Sequence, residues 1–331
     1  MIKKIENSRI LVTGGAGFIG SNLVEVLLSQ CNEVVVLDNF ATGKRENLAP
    51  FAENPHFTLI EGDIRNMATC RQAVDGIDYV LHEAALGSVP RSIKDPMTST
   101  EVNISGFVNM LYAAQEAKVK RFVYAASSST YGDSKTLPKV EDNIGKPLSP
   151  YAITKYVNEL FAENFSKLYD IETIGLRYFN VFGRRQDPFG AYAAVIPKFA
   201  MSLIRHESPI INGDGSFSRD FTYIDNVIQV NQLALLTADS EAVNTIYNVA
   251  CGERTTLKQL FEYLRENLAD FDHEISHIEA QYGPSRPGDI PHSLADINKA
   301  RKLLGYDPQY NVQQGLKLAG KWYFENLTKT D

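Results

Sequence analysis

Short apolar runs recur along the first half of the chain, and most are followed by a stretch whose apolar positions repeat every three or four residues. The runs cover residues 10–12, 33–37, 57–60, 79–82, 122–126 and 173–178, and the helical repeats cover 21–28, 67–74, 102–117 and 151–168. In the first repeat Leu23, Val24, Leu27 and Leu28 share one helical face. Apolar runs this short read as strands covered on both sides. Strand and helix in alternation predict an α/β fold with a doubly wound parallel sheet, whose ligands dock at the carboxyl ends of the strands. Gly76, Pro90, Pro96, Gly132 and Pro150 mark gaps between elements.

Beyond residue 180 the rhythm changes. Residues 184–190 are polar and turn-rich, Gly213-Asp214-Gly215 reads as a tight turn, and 281–291, with Gly283, Pro284, Pro287 and Gly288, reads as a loop. Helical spacing returns over 296–304 and 312–324. The expectation is a cofactor domain over 1–180 and a smaller mixed α/β substrate-binding lobe, mainly 181–331. The chain is expected to return to the larger domain near 221–250.

The junction of the first strand and helix is chemically specific. Residues 13–20 read Thr-Gly-Gly-Ala-Gly-Phe-Ile-Gly. Gly14 allows a tight turn, Gly17 lets backbone approach a pyrophosphate, and Gly20 permits close helix–strand packing. The helix N-terminus then offers free N–H groups and a partial positive charge to the anion. The second run ends in Asp38, near the spacing at which an acid meets the adenosine ribose of a dinucleotide.

A second constellation adds chemistry to that turn. Ser127-Ser128-Ser129 ends the strand 122–126, Tyr151 opens a helix, and Lys155 lies four residues on, on the same helix face. A lysine ammonium beside a phenol favours the phenolate and is expected to lower the tyrosine pKa from about 10. A strand-end serine hydroxyl could bond a substrate oxygen. Together these form a proton-transfer site of the kind needed beside a nicotinamide.

Bulk properties exclude several classes. The formal net charge of −7 and the lack of a basic tract argue against nucleic acid. No apolar run approaches the roughly 20 residues of a membrane span. Cys31, Cys70 and Cys251 are few and scattered, which suits a reducing cytoplasm. His273 and His277 have helical spacing but no third partner in the sequence pattern, so no metal is expected.

The 13–20 fingerprint, Asp63-Ile64, Ala84-Ala85, the serine run, Tyr151 with Lys155, and Arg177-Tyr178-Phe179-Asn180 together resemble the extended short-chain dehydrogenase/reductase family, whose sheet is of the Rossmann type. The resemblance covers nearly the whole chain. It is strongest to nucleotide-sugar 4-epimerases. Arg184-Arg185-Gln186-Asp187-Pro188, Ser218-Arg219-Asp220-Phe221 and Arg286-Pro287-Gly288-Asp289 are similar to segments of bacterial UDP-N-acetylglucosamine 4-epimerases serving O-antigen or capsule synthesis.

The resemblance implies tightly held NAD. Gly14, Gly17, Phe18, Ile19 and Gly20 would cradle it, with Asp38 and Asn39 at the adenosine ribose. Asp63 and Ile64 would flank the adenine, and Ala84 and Ala85 would line the pyrophosphate crossing. Asn103, Tyr178, Tyr151 and Lys155 would serve the nicotinamide half. Tyr151 would be the acid/base, with Ser127 or Ser128 (Ser129 less so) bonding the sugar. For a UDP-sugar it implies Gly87, Ser88, Ser128, Asn180, Gln186, Ala194, Val195, Arg219, Arg286, Asp289 and Ser293. Ser293 replaces the bulky tyrosine of glucose/galactose-restricted members, which leaves room for an N-acetyl group. Gly87 and Ala194 are also small. Arg91 could meet a C6 carboxylate instead. Ser129-Thr130-Tyr131 lacks the acids that related dehydratases and decarboxylases carry, which favours simple epimerisation. UDP-glucose, UDP-uronate and UDP-glucuronate decarboxylase readings stay as alternatives. A non-catalytic cofactor-binding protein would be expected to have lost Tyr151 or Lys155. Family likeness also implies a homodimer through the helices at Val102 and Tyr151.

Overall fold

The computed structural model describes residues 4–189, 194–284 and 290–327. Strands β1 (Arg9–Thr13), β2 (Glu33–Asp38), β3 (Phe57–Glu61), β4 (Tyr79–His82), β5 (Arg121–Ser127) and β6 (Glu172–Tyr178) form one sheet. Four short strands follow outside it: β7 (Val181–Phe182), β8 (Ile210–Asn212), β9 (Ser218–Arg219) and β10 (Thr222–Tyr223). The chain then rejoins the sheet with β11 (Thr245–Val249), which pairs with β6. The order is β11-β6-β5-β4-β1-β2-β3, and every neighbouring pair is parallel. Strand order reverses between β1 and β4, so a crevice opens at their carboxyl ends.

Side-chain alternation explains why both faces are covered. Ile10 and Val12 of β1, with Val34 and Val36 of β2, join one core, while Leu11, Val35 and Leu37 join the other. This two-residue period lets one apolar run serve both layers. The covering helices of this half are α1 (Phe18–Leu28), α2 (Met67–Ala73), α3 (Val89–Lys94), α4 (Pro96–Thr100), α5 (Phe107–Glu116) and α6 (Pro150–Leu168). The helix read from 102–117 is divided: Glu101–Gly106 is π-helical and runs into α5. At Gly106 an added Cβ would lie 2.6 Å from the Ile64 side chain, so any larger residue there would require Ile64 to shift.

The smaller lobe is built from α7 (Val195–Ile204), α9 (Leu257–Ala269) and α11 (Val312–Leu327) around short strand pairs. Between them in sequence, α8 (Ile224–Leu236) packs against α1 and β5 of the larger half, and α10 (Asn298–Leu304) against β11. Strand β9 pairs with β12 (Thr255–Thr256), and β8 with β13 (Gln281–Gly283). The start of the expected 281–291 loop is therefore a strand. Three residues are too few to show a period.

Helix α6 is the element that positions the chemistry. Ser149 caps it by accepting from Ala152 N, Pro150 suits its first turn, and Ser92 Oγ accepts from Tyr151 N at 3.0 Å. Further along, Glu159 receives Arg177 of β6 through two bonds of 2.8 Å, and both side chains are almost fully buried. The remaining Arg177 Nη1 donates to Glu141 O, and the guanidinium lies 4.8 Å from the Tyr131 ring. Arg177→Met should leave Glu159 as an uncompensated buried charge and lower the unfolding free energy by about 3–5 kcal/mol in urea titration. A loss below about 1 kcal/mol would contradict this reading of the pair.

Candidate active site

At the end of β1, Gly14 turns with φ +69°, and its N–H donates to Leu37 O. A Cβ there would sit 2.7 Å from Ala84 N, and one on Gly20 would sit 2.3 Å from Gly14 O. No side chain caps the N-terminus of α1, which follows Gly17 directly. The open N–H groups of that end therefore suit an anion. Asp38 closes β2, with one carboxylate oxygen accepting from Ala16 N at 2.9 Å and the other from Phe40 N at 2.8 Å. Asp63 takes hydrogen bonds from Arg65 and Asn39, and the Arg65 guanidinium holds its carboxyl down at about 2.

These groups open onto one cleft of about 570 Å³ that crosses the carboxyl edge of the sheet. Its walls include Gly14, Gly17, Phe18, Ile19 and Gly20 at one end, with Asp38, Asn39, Asp63 and Ile64 beside them. Ala84 and Ala85 lie along it, and Ser127, Tyr151, Lys155 and Tyr178 stand further in. Gly87, Ser88, Gln186 and Ala194 also line it, as does Arg91. The cleft's turn, anion-ready helix end and ribose-side acid fit a dinucleotide such as NAD.

Other expected residues lie elsewhere. Asn103 is buried behind the wall, where it bonds both backbone groups of Leu86 and the Thr154 hydroxyl. It shapes the loop before Gly87 and does not line the cleft. Ser128 begins a tight 3-10 turn, Ser128–Tyr131, and is likewise not part of the wall. Val195 starts α7 next to Ala194, also outside the wall. Asn180, Arg219 and Ser293 form a separate cluster around residues 218–220. Asn180 Nδ2 donates to Asp220 O, Ser293 N donates to Ser218 O, and Arg219 Nη1 donates to Ser218 O and Pro291 O. Asp220, fully buried, ties this cluster together by accepting from the N–H groups of Cys251, Gly252 and Ala295. Arg286 and Asp289 lie outside the described residues.

Ser127 hydrogen-bonds the Tyr151 side chain, and Ser129 Oγ donates to Ser127 Oγ at 2.9 Å. The expected fall of the Tyr151 pKa is not what the surroundings produce. Burial raises it, the Ser127 bond only partly offsets this, and the nearby Glu83 charge raises it further. Lys155 Nζ donates to Ala125 O at 2.6 Å, and burial draws the ammonium down to about 8 against the pull of Glu83 and Glu159. Spacing on a helix put phenol and amine on the wall of one cleft, and desolvation is the largest influence on each.

Glu83 is a cleft residue that sequence reasoning passed over. The available signal was an acid placed directly after the strand-ending His82. His82 itself is buried, bonded through Nδ1 to Thr13 Oγ1 and packed on Phe107 and Phe122, and burial holds it neutral with a pKa of about 3.

Residues 10–250 match the NAD dependent epimerase/dehydratase family. The chain is 36% identical to a UDP-N-acetylglucosamine 4-epimerase from Methanobrevibacter ruminantium, solved with UDP-N-acetylmuramic acid; 97% of this chain and 99% of that one superpose with a TM-score of 0.89. It is also 36% identical to a UDP-glucose 4-epimerase from Thermotoga maritima solved with UDP-glucose, over 96% and 99% of the two chains, with a TM-score of 0.87. A UDP-glucuronic acid 4-epimerase from Bacillus cereus, solved with UDP-glucuronic acid and NAD, is 32% identical over 96% and 99%, with a TM-score of 0.85.

Because Gly14 combines a left-handed φ with a backbone neighbour 2.7 Å from any Cβ, Gly14→Ala should deform the turn. NAD retained through purification, measured after denaturation, should fall at least ~10-fold while the far-ultraviolet circular dichroism stays unchanged. Full NAD content in that variant would contradict the assigned turn.

Proposed function

Because the chain belongs to the NAD dependent epimerase/dehydratase family, we propose that it is a nucleotide-sugar 4-epimerase that inverts C4 of a UDP-hexose, with UDP-GlcNAc and UDP-GalNAc as the preferred pair. The observation that carries this reading is the meeting of Ser127, Tyr151 and Lys155 in the same cleft as the glycine turn. When bound, NAD supplies reversible removal of the C4 hydrogen as hydride, so that the sugar passes through a 4-keto form. Tyr151 takes the proton of the 4-hydroxyl and later returns it from the other side of the turned sugar. Ser127 bonds the same oxygen and keeps it within reach of the phenol. Lys155 supplies a cation beside these groups and a grip on the nicotinamide ribose. Asp38 receives the adenosine ribose, and its charge disfavours a 2′-phosphate.

The UDP end falls to the 218–220 cluster. Arg219, with Arg286, holds the diphosphate, a role that suits a planar fork of donors. Asn180 contacts the sugar or its phosphate, and Asp289 the uridine ribose. A firm hold there lets the keto sugar swing while it stays attached. Three small residues support the N-acetylated pair. Gly87 lines the cleft, and a Cβ added to it would meet nothing within 4 Å. Ala194 also lines the cleft, and Ser293 presents a short side chain next to Arg219's strand. A second reading, a UDP-uronate substrate, is favoured by Arg91 on the same wall.

In domain terms, residues 1–180 with 221–250 form the cofactor half, and the rest of 181–331 the UDP-sugar lobe. The three unpaired cysteines support a cytoplasmic setting. A homodimer is supported by apolar side chains left outside: Ile93 is 63% exposed, Met97 71%, Ile153 49% and Leu160 47%. Ile153 and Leu160 are two turns apart on α6, so they share a face.

Purified protein given UDP-GlcNAc, UDP-glucose or UDP-glucuronate separately, without added NAD, should interconvert UDP-GlcNAc and UDP-GalNAc fastest by NMR. Fast conversion of UDP-glucose alone would overturn the N-acetyl preference. Tyr151→Phe should lower turnover at least ~100-fold with NAD content unchanged, and near-normal turnover would refute its role. Ile153→Glu combined with Leu160→Glu should convert a dimer to a monomer in light scattering. A wild-type protein that is already monomeric would exclude the interface.

A further inference from the structure

Glu83 follows β4 directly, inside the cleft, and the chemistry above gives it no task. Its Oε1 accepts from the Tyr178 hydroxyl at 2.9 Å, and Asn231 Nδ2 donates to that hydroxyl at 2.9 Å. The phenol of Tyr178 therefore has its single hydrogen committed to Glu83 and a lone pair committed to Asn231. One strand-end residue, Tyr178, bonds the carboxyl and is itself held by a side chain of α8.

The charged groups around it define what that carboxyl can do. Lys155 is 3% exposed, and its ammonium donates to a neutral carbonyl, Ala125 O. One neutral acceptor does not offset the cost of burying an ammonium. The negative groups acting on Lys155 are Glu83 and Glu159, and Glu159 is already gripped at both oxygens by Arg177. His82 on the same strand is neutral and turned to the aromatic core. Tyr151 faces Glu83 from α6, and Tyr178 from β6. Among the described residues, Glu83 is thus the carboxylate beside Lys155 that has no cationic side chain bonded to it.

We propose that Glu83 is a positioning residue of the reaction: held by Tyr178 and Asn231, its carboxylate keeps the Lys155 ammonium charged beside Tyr151 without touching the sugar. This rests on the epimerase reading above. Burial lifts the Glu83 carboxyl to about 7 and draws Lys155 down to about 8, so the two charges coexist in a band just above neutrality.

Glu83→Gln removes the charge and keeps an oxygen for the Tyr178 proton. Without the negative neighbour, Lys155 gives up its proton at lower pH. The alkaline limb of the kcat profile should then move down by at least about half a pH unit, with KM for the UDP-sugar changed less than about twofold. Below about pH 6 the variant and wild type should run together, because there Glu83 already carries its proton. A readout independent of turnover is the NMR titration of 13C-labelled lysine, with the Lys155 signal assigned by its loss in Lys155→Arg. That titration should shift down in Glu83→Gln and return toward wild type in Glu83→Asp, which keeps the charge. An unmoved Lys155 titration overturns the proposal, whether kcat is unchanged or falls equally at every pH. So does a Glu83→Asp titration that matches Glu83→Gln. An inactive wild type would sink the epimerase reading instead, and the lysine titration would still decide the role of Glu83.

Discussion

The buried pairing of Arg177 with Glu159 is the constraint on which the site's geometry depends. It joins β6 to α6 at two points, each at 2.8 Å, in surroundings closed to water. Tyr178 is the next residue of β6, and Tyr151 and Lys155 lie on the first turns of α6. One ion pair therefore ties the strand that holds Glu83 through Tyr178 to the helix that carries the proposed acid/base. Such a pair adds little net stability over an apolar substitute of the same shape. What it contributes here is register: a slip of α6 along the sheet would leave both charges unpaired.

Desolvation then dominates the chemistry of everything placed at that edge. It raises Tyr151 and Glu83, lowers Lys155, and holds His82 neutral. The phenol is pushed further up, while the amine and the carboxyl, far apart in pKa in water, are drawn toward one another at about 8 and about 7. Near neutral pH small charge changes therefore move protons between them. The arrangement suits a reaction in which a proton leaves the sugar and later returns to the same oxygen.

Much of this was readable before any coordinates. The apolar runs are short and mostly buried on both faces, so their alternation with helices left few topologies. The glycine turn and the Tyr151–Lys155 spacing are local features, fixed within one turn or one helix. What escaped is non-local. Glu83 gains its meaning from Tyr178, Asn231 and Lys155, which lie 72 to 148 positions further along the chain. Asn103 lies within a π-helical segment and its amide bonds Leu86 and Thr154, contacts that its place in the sequence does not signal. That β5 gives way to a 3-10 turn between Ser127 and Ser128 is a boundary that three identical residues cannot signal. A helix face shows that Tyr151 and Lys155 are neighbours, but not that burial raises the phenol.

The central claim is that the sugar's C4 hydrogen leaves and returns without entering the solvent, while Tyr151 handles the hydroxyl proton. The most direct measurement is conversion, in ordinary water, of a UDP-hexose carrying deuterium at C4. The account predicts epimerised product with the deuterium still at C4, formed more slowly than from the unlabelled sugar. Epimerised product whose C4 label has exchanged with water would contradict it.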